Sequence, residues 1–383
     1  MSLLIDEHRQ FLQDRARIDA FTRAIADVVR PGMVVADLGS GTSILGLLAC
    51  RAGASRVYCI DDSGMTGPAR KVARDCGVAD RMTFIDGHSS RVSLPERVDV
   101  IVSDIIGRLG FLSGGSAALI DTRERWLRPG GALMPAVMHT WVAPVEHHDL
   151  YAHVDFWGRD VAGFDMSAVR EPAANTGYPH RFETTDLLAP GAAAVTCDYR
   201  SGDAAMVRGD ATFTVARPGR LHGVAAWFSA ELSPHVIMTN APGAPDRISR
   251  RNAFLPMETP VDVQTGDTVH VSLVIRPVDF IVTWSVTCRR GAEPLAACRQ
   301  STMKGMLIVR QDLTGAAEDA TPTLNAWAAA RGTVLLLCDG HRTVRDIERE
   351  VFDRHRALFA TEASAQIFVA EVVSRYADTP LRD

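Results

Sequence analysis

Residues 34–42 read Val34-Val35-Ala36-Asp37-Leu38-Gly39-Ser40-Gly41-Thr42, an apolar run that ends in two closely spaced glycines. The run predicts a buried strand. The glycines predict a tight turn, because a residue without a Cβ lets the backbone approach a ligand closely. The apolar segment that follows, residues 44–51, predicts a helix whose first amides point back at this turn. Continuous apolar strands that alternate with helices predict a parallel sheet covered on both faces.

The acidic residue before the turn bears on which cofactor binds there. A nicotinamide fingerprint would need glycine at Ile44, and Asp37 would repel a pyrophosphate. Asp37 can instead pair with the amine of a cationic cofactor. Asp61 ends the next predicted strand, where it can accept both hydroxyls of a ribose. This order of acid, Gly-x-Gly and second acid is typical of class I S-adenosylmethionine methyltransferases; the alternative is a cofactor-free domain that needs only a tight turn.

The composition limits the class of protein. The chain has 383 residues, a length that predicts two or three domains. It has 41 Lys and Arg against 46 Asp and Glu, so we do not expect it to bind a nucleic acid through bulk positive charge. No apolar run approaches the roughly 18 residues that span a bilayer. Seven cysteines without a C-x-x-C pair favour reduced thiols. We therefore expect a cytoplasmic protein that needs neither a membrane nor a metal.

Three regions differ in their sequence pattern. Residues 1–30 predict an amphipathic capping helix, and residues 31–135 predict a Rossmann-like α/β domain. Residues 136–300 carry short strands of period two, broken by Pro and Gly, which predict an antiparallel β-barrel or sandwich. Residues 301–383 contain a strand candidate and three helical stretches. These lie within Met306–Leu313, and at Leu324–Cys338, Val344–Phe352 and Glu362–Tyr376.

Several longer phrases resemble the protein arginine methyltransferases. They are HRQFLQDRAR at residues 8–17, VVADLGSGTSILGLLACRAGASRVYCID at 34–61, VDVIVSDIIG at 98–107, WLRPGGALMP at 126–135, GFDMS at 163–167 and LHGVAAWFSAEL at 221–232. The similarity covers about residues 5–290. It implies a helix-capped S-adenosylmethionine domain joined to a β-barrel, and a homodimer formed through an arm at about residues 147–180.

The resemblance also implies which residues hold the cofactor. Arg17 would contact the methionine carboxylate, Asp61 the ribose, and Ser89 with Ser90 the adenine. The full implied set is Arg17, Asp37, Gly39, Ser40, Gly41, Thr42, Asp61, Asp62, Ser89 and Ser90. The family usually has glutamate at Ser90 and glycine at Ser43. The product would be S-adenosylhomocysteine.

The catalytic positions depart further from the family pattern. The family carries two glutamates in one loop, because a forked carboxylate pair holds a planar guanidinium. Here Asp104 aligns with the first, Ser113 with the second, and Ser249 with a barrel histidine. Losing one carboxylate costs about 1–3 kcal/mol, which favours an amine over arginine as the acceptor. Asp104 is the first candidate base and Glu231 the second. The alternatives are a loop-fixing role for Asp104 and a structural ion pair for Glu231.

Three histidines near the start of the predicted arm could suggest a metal site. His147, His148 and His153 do not project from one helical face, and no cysteine or carboxylate set supports them. We therefore predict that they belong to the arm.

The C-terminal region resembles a PqqD-like recognition element. Asp339-Gly340 and Thr343 separate two predicted helices, as in that small winged-helix fold with a three-stranded sheet. Such modules bind the leader of a ribosomally made precursor peptide as an added strand, for which the segment within Met306–Leu313 is the candidate. A DNA-binding winged helix and a purely structural or dimerisation role are the alternatives.

Together these resemblances predict a peptide-modifying methyltransferase. Residues 301–383 would capture the leader of a precursor peptide, and the catalytic domains would methylate a nitrogen of its core. An aminated C terminus, as in the daptide class, would fit the altered acceptor site. A protein arginine N-methyltransferase and a non-catalytic precursor-binding scaffold are the alternative hypotheses.

Overall fold

The computed structural model describes residues 4–202, 205–307, 321 and 323–377. The chain divides into two compact units, residues 1–307 and 308–383, and each is described here by itself. In the described part of the chain, no helix combines the length and the apolar character needed to cross a membrane.

The N-terminal cap consists of two helices, where the sequence predicted one. Helix α1 spans Leu4–Gln13 and α2 spans Arg15–Val28. Asp14 lies between them and caps α2, its carboxylate accepting a hydrogen bond from the Arg17 amide. The apolar spacing continues through this break, so it gave no sign of the interruption.

A five-stranded parallel sheet follows and confirms the predicted Rossmann-like domain. Its strands are β1 (Val34–Leu38), β2 (Arg56–Asp61), β3 (Met82–Asp86), β4 (Val98–Ser103) and β5 (Leu127–Met134), with helices α3 (Ile44–Arg51), α4 (Thr66–Asp75) and α5 (Gly115–Trp126). The spatial order is β3-β2-β1-β4-β5. Because the order reverses between β1 and β4, the crevice at their carboxyl ends is the expected ligand site.

An antiparallel barrel-like region completes the first unit, as predicted. Its strands are β6 (Val137–Val145), β9 (Tyr178–His180), β10 (Ala192–Asp198), β11 (Val207–Thr214), β12 (Gly219–Ser233), β13 (Val236–Thr239), β14 (Asn252–Val263), β15 (Thr268–Arg276), β16 (Ile281–Arg290) and β17 (Glu293–Ser301). They form a six-stranded sheet, β10-β6-β12-β14-β9 with β13 on β12, and a four-stranded sheet, β11-β15-β16-β17. One continuous apolar core joins the parallel sheet to the barrel.

The predicted arm is an excursion between β6 and β9. It contains helices α6 (His148–Asp155) and α7 (Arg170–Ala174) and the two short strands β7 (Asp160–Val161) and β8 (Phe164–Asp165). Phe156 and Phe164 are 46% and 68% exposed there. Contiguous exposed apolar patches mark interaction sites, and these two exposed side chains both belong to the predicted arm.

The second unit has its own apolar core, built by helices α8 (Ala326–Leu337), α9 (Val344–Arg354) and α10 (Glu362–Tyr376). The residues predicted to separate the first two of these helices do so: Gly340 has φ of +79°, and Thr343 forms a capping box with Asp346. Residues 323–377 contain these helices and no strand. Most of the segment Met306–Leu313 lies outside the described residues, so the winged-helix assignment stays a prediction.

Candidate active site

The turn after β1 requires glycine at two positions, both for its backbone conformation and because a side chain would not fit. Gly39 and Gly41 have φ of +69° and +49°, in the left-handed region that favours glycine. A Cβ on Gly39 would lie 2.9 Å from the Ile105 side chain, and one on Gly41 would lie 2.2 Å from the His8 ring. Helix α1 therefore closes over the turn, and Ser40 and Thr42 complete the turn beneath it.

Asp37 is a buried carboxylate with one oxygen to spare. Its Oδ2 accepts a hydrogen bond of 2.8 Å from the Gly46 amide, while the buried Oδ1 has no partner among the described residues. Burial raises the pKa of Asp37 to about 7, the Gly46 hydrogen bond opposes the shift and the charge of Asp61 adds to it. Buried polar atoms are rarely left unpaired. The spare oxygen therefore fits a cationic donor such as the ammonium group of S-adenosylmethionine.

Asp61 ends β2, as predicted, but its oxygens already serve the local turn. Oδ2 accepts a hydrogen bond of 2.7 Å from the Gly41 amide, and Oδ1 accepts from the amide and hydroxyl of Ser63. A carboxylate has about four acceptor positions, so ribose hydroxyls can share it. Asp61 therefore positions the glycine turn as well as offering a ribose contact.

A cleft of about 180 Å³ opens beside this turn. Asp61, Asp62 and Ser89 line it, together with Gly39 and Ser113. These residues come from the ends of β1 and β2 and from the loops after β3 and β4, so the sheet topology brings four of the ten predicted cofactor residues, Gly39, Asp61, Asp62 and Ser89, to one cleft. The other six predicted residues do not line this cleft. Among them, Ser90 is exposed, and its hydroxyl lies 2.8 Å from the Nδ1 of His88.

Ser43 occupies a backbone conformation that suits glycine. Its φ is +58°, and its side chain does not cap α3. A left-handed non-glycine residue costs about 1–2 kcal/mol. We expect Ser43→Gly to raise the free energy of unfolding by about 1 kcal/mol in urea denaturation. The control is Ser40→Gly, at a residue outside the left-handed region. There glycine only adds backbone entropy to the unfolded chain, so the free energy of unfolding should not rise. An equal rise at both positions would contradict the strain argument.

Arg17 and Asp104, predicted for cofactor binding and catalysis respectively, form an ion pair. Arg17 is 3% exposed on α2, and Asp104 follows the end of β4. Burial, followed by the positive charge of Arg250, lowers the pKa of Arg17 to about 9. The Oδ1 of Asp104 is buried and has no partner among the described residues. Asp104 therefore keeps one acceptor oxygen for a further group.

Comparison with known proteins shows which proteins this chain is similar to. Residues 136–287 match the family model described as the arginine methyltransferase oligomerization subdomain. The probable protein arginine N-methyltransferase 6 of Arabidopsis thaliana is 32% identical over 238 residues, which cover 59% of this chain and 54% of that protein. The matched segment thus spans about half of that relative. Human protein arginine N-methyltransferase 2 is 27% identical over 74% of this chain and 71% of its own length.

Solved structures agree on the fold. The Trypanosoma brucei PRMT1 enzyme–prozyme heterotetrameric complex with AdoHcy aligns with a TM-score of 0.70 at 21% identity, over 77% of this chain and 96% of that one. The Arabidopsis thaliana protein arginine methyltransferase 10 aligns with a TM-score of 0.66 at 20% identity, over 77% and 97%. The chain is therefore similar to the protein arginine methyltransferases in sequence and in fold.

This arginine-methyltransferase-like chain has a polar contact where the family's barrel histidine would lie. The amide and hydroxyl of Ser249 donate hydrogen bonds of 2.7 and 2.8 Å to Oδ2 of Asp14. The contact ties the barrel to the start of α2, next to Arg17. A serine therefore still links the barrel to the cap, although it cannot carry a positive charge as histidine can.

The second catalytic acid of the arginine-methyltransferase-like loop is absent at the predicted place. Ser113 stands there and donates a hydrogen bond of 2.8 Å to the carbonyl of Val278. Residues 105–114 contain no Asp or Glu. Asp104 is therefore the one carboxylate in this loop, as the sequence indicated.

Glu231 lies on β12, with its carboxylate 3.1 Å from Nε2 of His139. The other ring nitrogen of His139 contacts Thr196 at 2.9 Å. Among the described residues, no hydrogen bond or ion pair joins Glu231 to Asp104. These contacts are those of a cross-strand structural pair, and a catalytic role for Glu231 stays a prediction.

The structure also forms a histidine group that the sequence spacing did not reveal. Potential ligand atoms of His147, His180 and Asp186 all lie within 4.8 Å of one another. His147 already accepts a hydrogen bond from the Leu150 amide as the cap of α6. His148 and His153, the other histidines considered from the sequence, are not in this group.

Proposed function

We propose that the chain transfers a methyl group from S-adenosylmethionine to a nitrogen atom of a polypeptide, leaving S-adenosylhomocysteine. The observation that carries this proposal is the Arg17–Asp104 ion pair beside the glycine turn. The pair places a guanidinium suited to a cofactor carboxylate in contact with a carboxylate suited to an acceptor nitrogen. The fold and the curated relatives support the same reaction.

The described residues fit S-adenosylmethionine. Arg17 would hold its carboxylate, the spare oxygen of Asp37 its ammonium, Asp61 its ribose, and Ser89 its adenine. When bound, the cofactor supplies a methyl group on a positively charged sulfur. The two glycines let the turn approach the cofactor, and α1 shields it from water through His8.

Asp104 would act on the acceptor. Its buried spare oxygen can accept a hydrogen bond from an acceptor N–H and later the proton, which keeps the nitrogen lone pair directed at the methyl group. Because Asp104 is also bound to Arg17, its orientation is coupled to the cofactor position. Such alignment accounts for much of the rate gain in a reaction that needs no further activation.

Arginine side chains are the first candidate acceptors, because the curated relatives are named protein arginine N-methyltransferases. A primary or secondary amine of a precursor peptide, such as an aminated C terminus, is the second. Ser113 favours the amine, since one remaining carboxylate satisfies an amine better than a guanidinium. In that case residues 301–383 would bind the leader.

The proposal includes a homodimer formed through the arm and a cytoplasmic location. The match to an oligomerization subdomain supports an oligomer, and the exposed Phe164 marks one surface where the chains would meet.

The test is intact-mass analysis after incubation with S-adenosylmethionine. The substrates are an arginine-rich peptide, the same peptide with lysine for arginine, and a leader-bearing peptide with an aminated C terminus. Mass gain of the arginine peptide alone supports arginine methylation. Gain of the aminated peptide, lost in a 1–307 protein that still binds S-adenosylhomocysteine, supports leader capture. Precursor binding with no mass change in any peptide would favour the scaffold hypothesis.

A further inference from the structure

Arg250 is a half-buried cation without an ion-pair partner among the described residues. It precedes β14, and its guanidinium carbon lies 5.4 Å from the centre of the Phe11 ring. Burial, with the charge of Arg108 adding to it, lowers the pKa of Arg250 to about 10, against the opposing effect of Asp14. A pKa of about 10 still leaves the side chain charged at neutral pH. A partly buried charge that has no direct ion-pair partner is costly, so its presence needs a reason.

Both neighbouring carboxylates already bind other donors. Asp14 accepts hydrogen bonds from the Arg17 amide and from both donors of Ser249. Asp104 forms its ion pair with Arg17. The three arginines Arg17, Arg108 and Arg250 therefore exceed the two carboxylates Asp14 and Asp104 by one positive charge. The resembled family holds a cationic guanidinium between carboxylates, and this surface has the opposite sign.

Arg250 and Arg17 lie against the same aromatic ring. The guanidinium of Arg17 stands 4.1 Å from the centre of the same Phe11 ring and contacts Asp104. An extended acceptor peptide could therefore place one residue at Asp104 and an anionic group at Arg250 about four residues away. Arg17 is reserved for the cofactor carboxylate, so this anion must come from the acceptor.

We infer that the acceptor peptide presents a carboxylate to Arg250, with Arg108 beside it, within about four residues of the methylated nitrogen. This inference rests on the proposed function and narrows its substrate class to acidic peptide segments. Arginine binds carboxylates through two parallel hydrogen bonds, which fixes the direction of the peptide across the site. The carboxylate can belong to an Asp or Glu side chain or to a free C terminus.

The experiment measures binding and methylation separately. Fluorescently labelled peptides carry one acceptor residue with either Glu or Gln within four positions, each with a free or an amidated C terminus. Their affinities are measured by anisotropy in the presence of S-adenosylhomocysteine, and methylation is followed by mass. We expect at least tenfold tighter binding of peptides with a carboxylate. The Glu/Gln and free/amidated pairs show which source supplies it.

Variants of the full chain assign the effect to Arg250. Arg250→Gln should reduce the preference to less than twofold without lowering the melting temperature, and Arg250→Lys should keep part of it. Arg251→Gln, at the exposed neighbouring arginine, should keep the full preference. Equal affinities in the unsubstituted protein, or a preference that survives in Arg250→Gln, would overturn the inference. Loss of S-adenosylhomocysteine binding or a lower melting temperature in that variant would also overturn it, because Arg250 would then be structural.

The two proposals fail in different ways. Carboxylate-dependent binding without methylation of any peptide would remove the proposed function and leave the anion site standing. Methylation of neutral and acidic peptides at equal efficiency would remove the anion site and leave the proposed function standing.

Discussion

Replacement of Asp104 by asparagine is expected to lower the rate of methyl transfer about 10²- to 10⁴-fold, the range that a positioned acid–base group contributes. Asparagine keeps the shape of the side chain but cannot take up a proton. Residues 105–114 contain no other carboxylate that could replace it. The rate would be measured under saturating S-adenosylmethionine with the best peptide found by mass analysis.

The same substitution should destabilise the cofactor-free protein. Arg17 is 3% exposed and would lose its ion-pair partner, and breaking a buried pair costs roughly 2–4 kcal/mol. Urea denaturation would measure the loss, and S-adenosylhomocysteine should reverse part of it by supplying a carboxylate. Asp75→Asn is the matched control, because the exposed Lys71–Asp75 pair contributes less than about 1 kcal/mol. An Asp104→Asn protein that retains activity within about threefold would show that another group takes the proton.

Replacement of Asp37 by asparagine is expected to weaken S-adenosylmethionine binding more than 100-fold, or about 3 kcal/mol, since one partner of a buried charged hydrogen bond is lost. The spare Oδ1 is the atom proposed to meet the cofactor ammonium. Titration calorimetry would measure the affinity. Binding unchanged within about threefold would remove Asp37 from the cofactor site.

Asp37→Asn should also make the cofactor-free protein more stable, with a defined pH dependence. Folding raises the pKa of this carboxyl from 3.8 to about 7, so its ionised form is disfavoured in the folded state. The resulting destabilisation is absent below pH 3.8, grows as the pH rises to about 7, and is constant above that. We expect Asp37→Asn to raise the free energy of unfolding by roughly 2–4 kcal/mol at pH 8 and by clearly less at pH 5.

Urea denaturation at the two pH values checks this expectation. Asp62→Asn serves as the control, because Asp62 lines the same cleft but is exposed. Its substitution should change the free energy of unfolding by less than about 0.5 kcal/mol at either pH. A gain for Asp37→Asn that does not depend on pH would mean that it comes from packing and not from removal of the charge.

Local patterns determined much of the architecture. Helices α3 and α10 have the predicted bounds, Ile44–Arg51 and Glu362–Tyr376. Thr343 caps α9 as the sequence indicated. Periodicity, capping and left-handed turns depend on residues a few positions apart, so they can be read without coordinates. The cofactor turn was predictable for the same reason.

The break at Asp14, by contrast, was invisible in the sequence. The carboxylate that interrupts the first helix is bonded to Ser249, 235 positions away, and the apolar spacing continues through the break. The sequence likewise did not indicate that Glu231 would pair with His139, or that His147 would approach His180.

The sequence by itself determined which residue types the site contains: an acidic strand end, a glycine turn, and one carboxylate where the resembled family has two. Only the tertiary structure decided that Arg17 binds Asp104, and that Arg250 shares the Phe11 ring with Arg17 but has no ion-pair partner among the described residues. The physical reason is distance. Electrostatic pairing and desolvation depend on separations of a few ångströms, and these are set by packing between segments far apart in the chain.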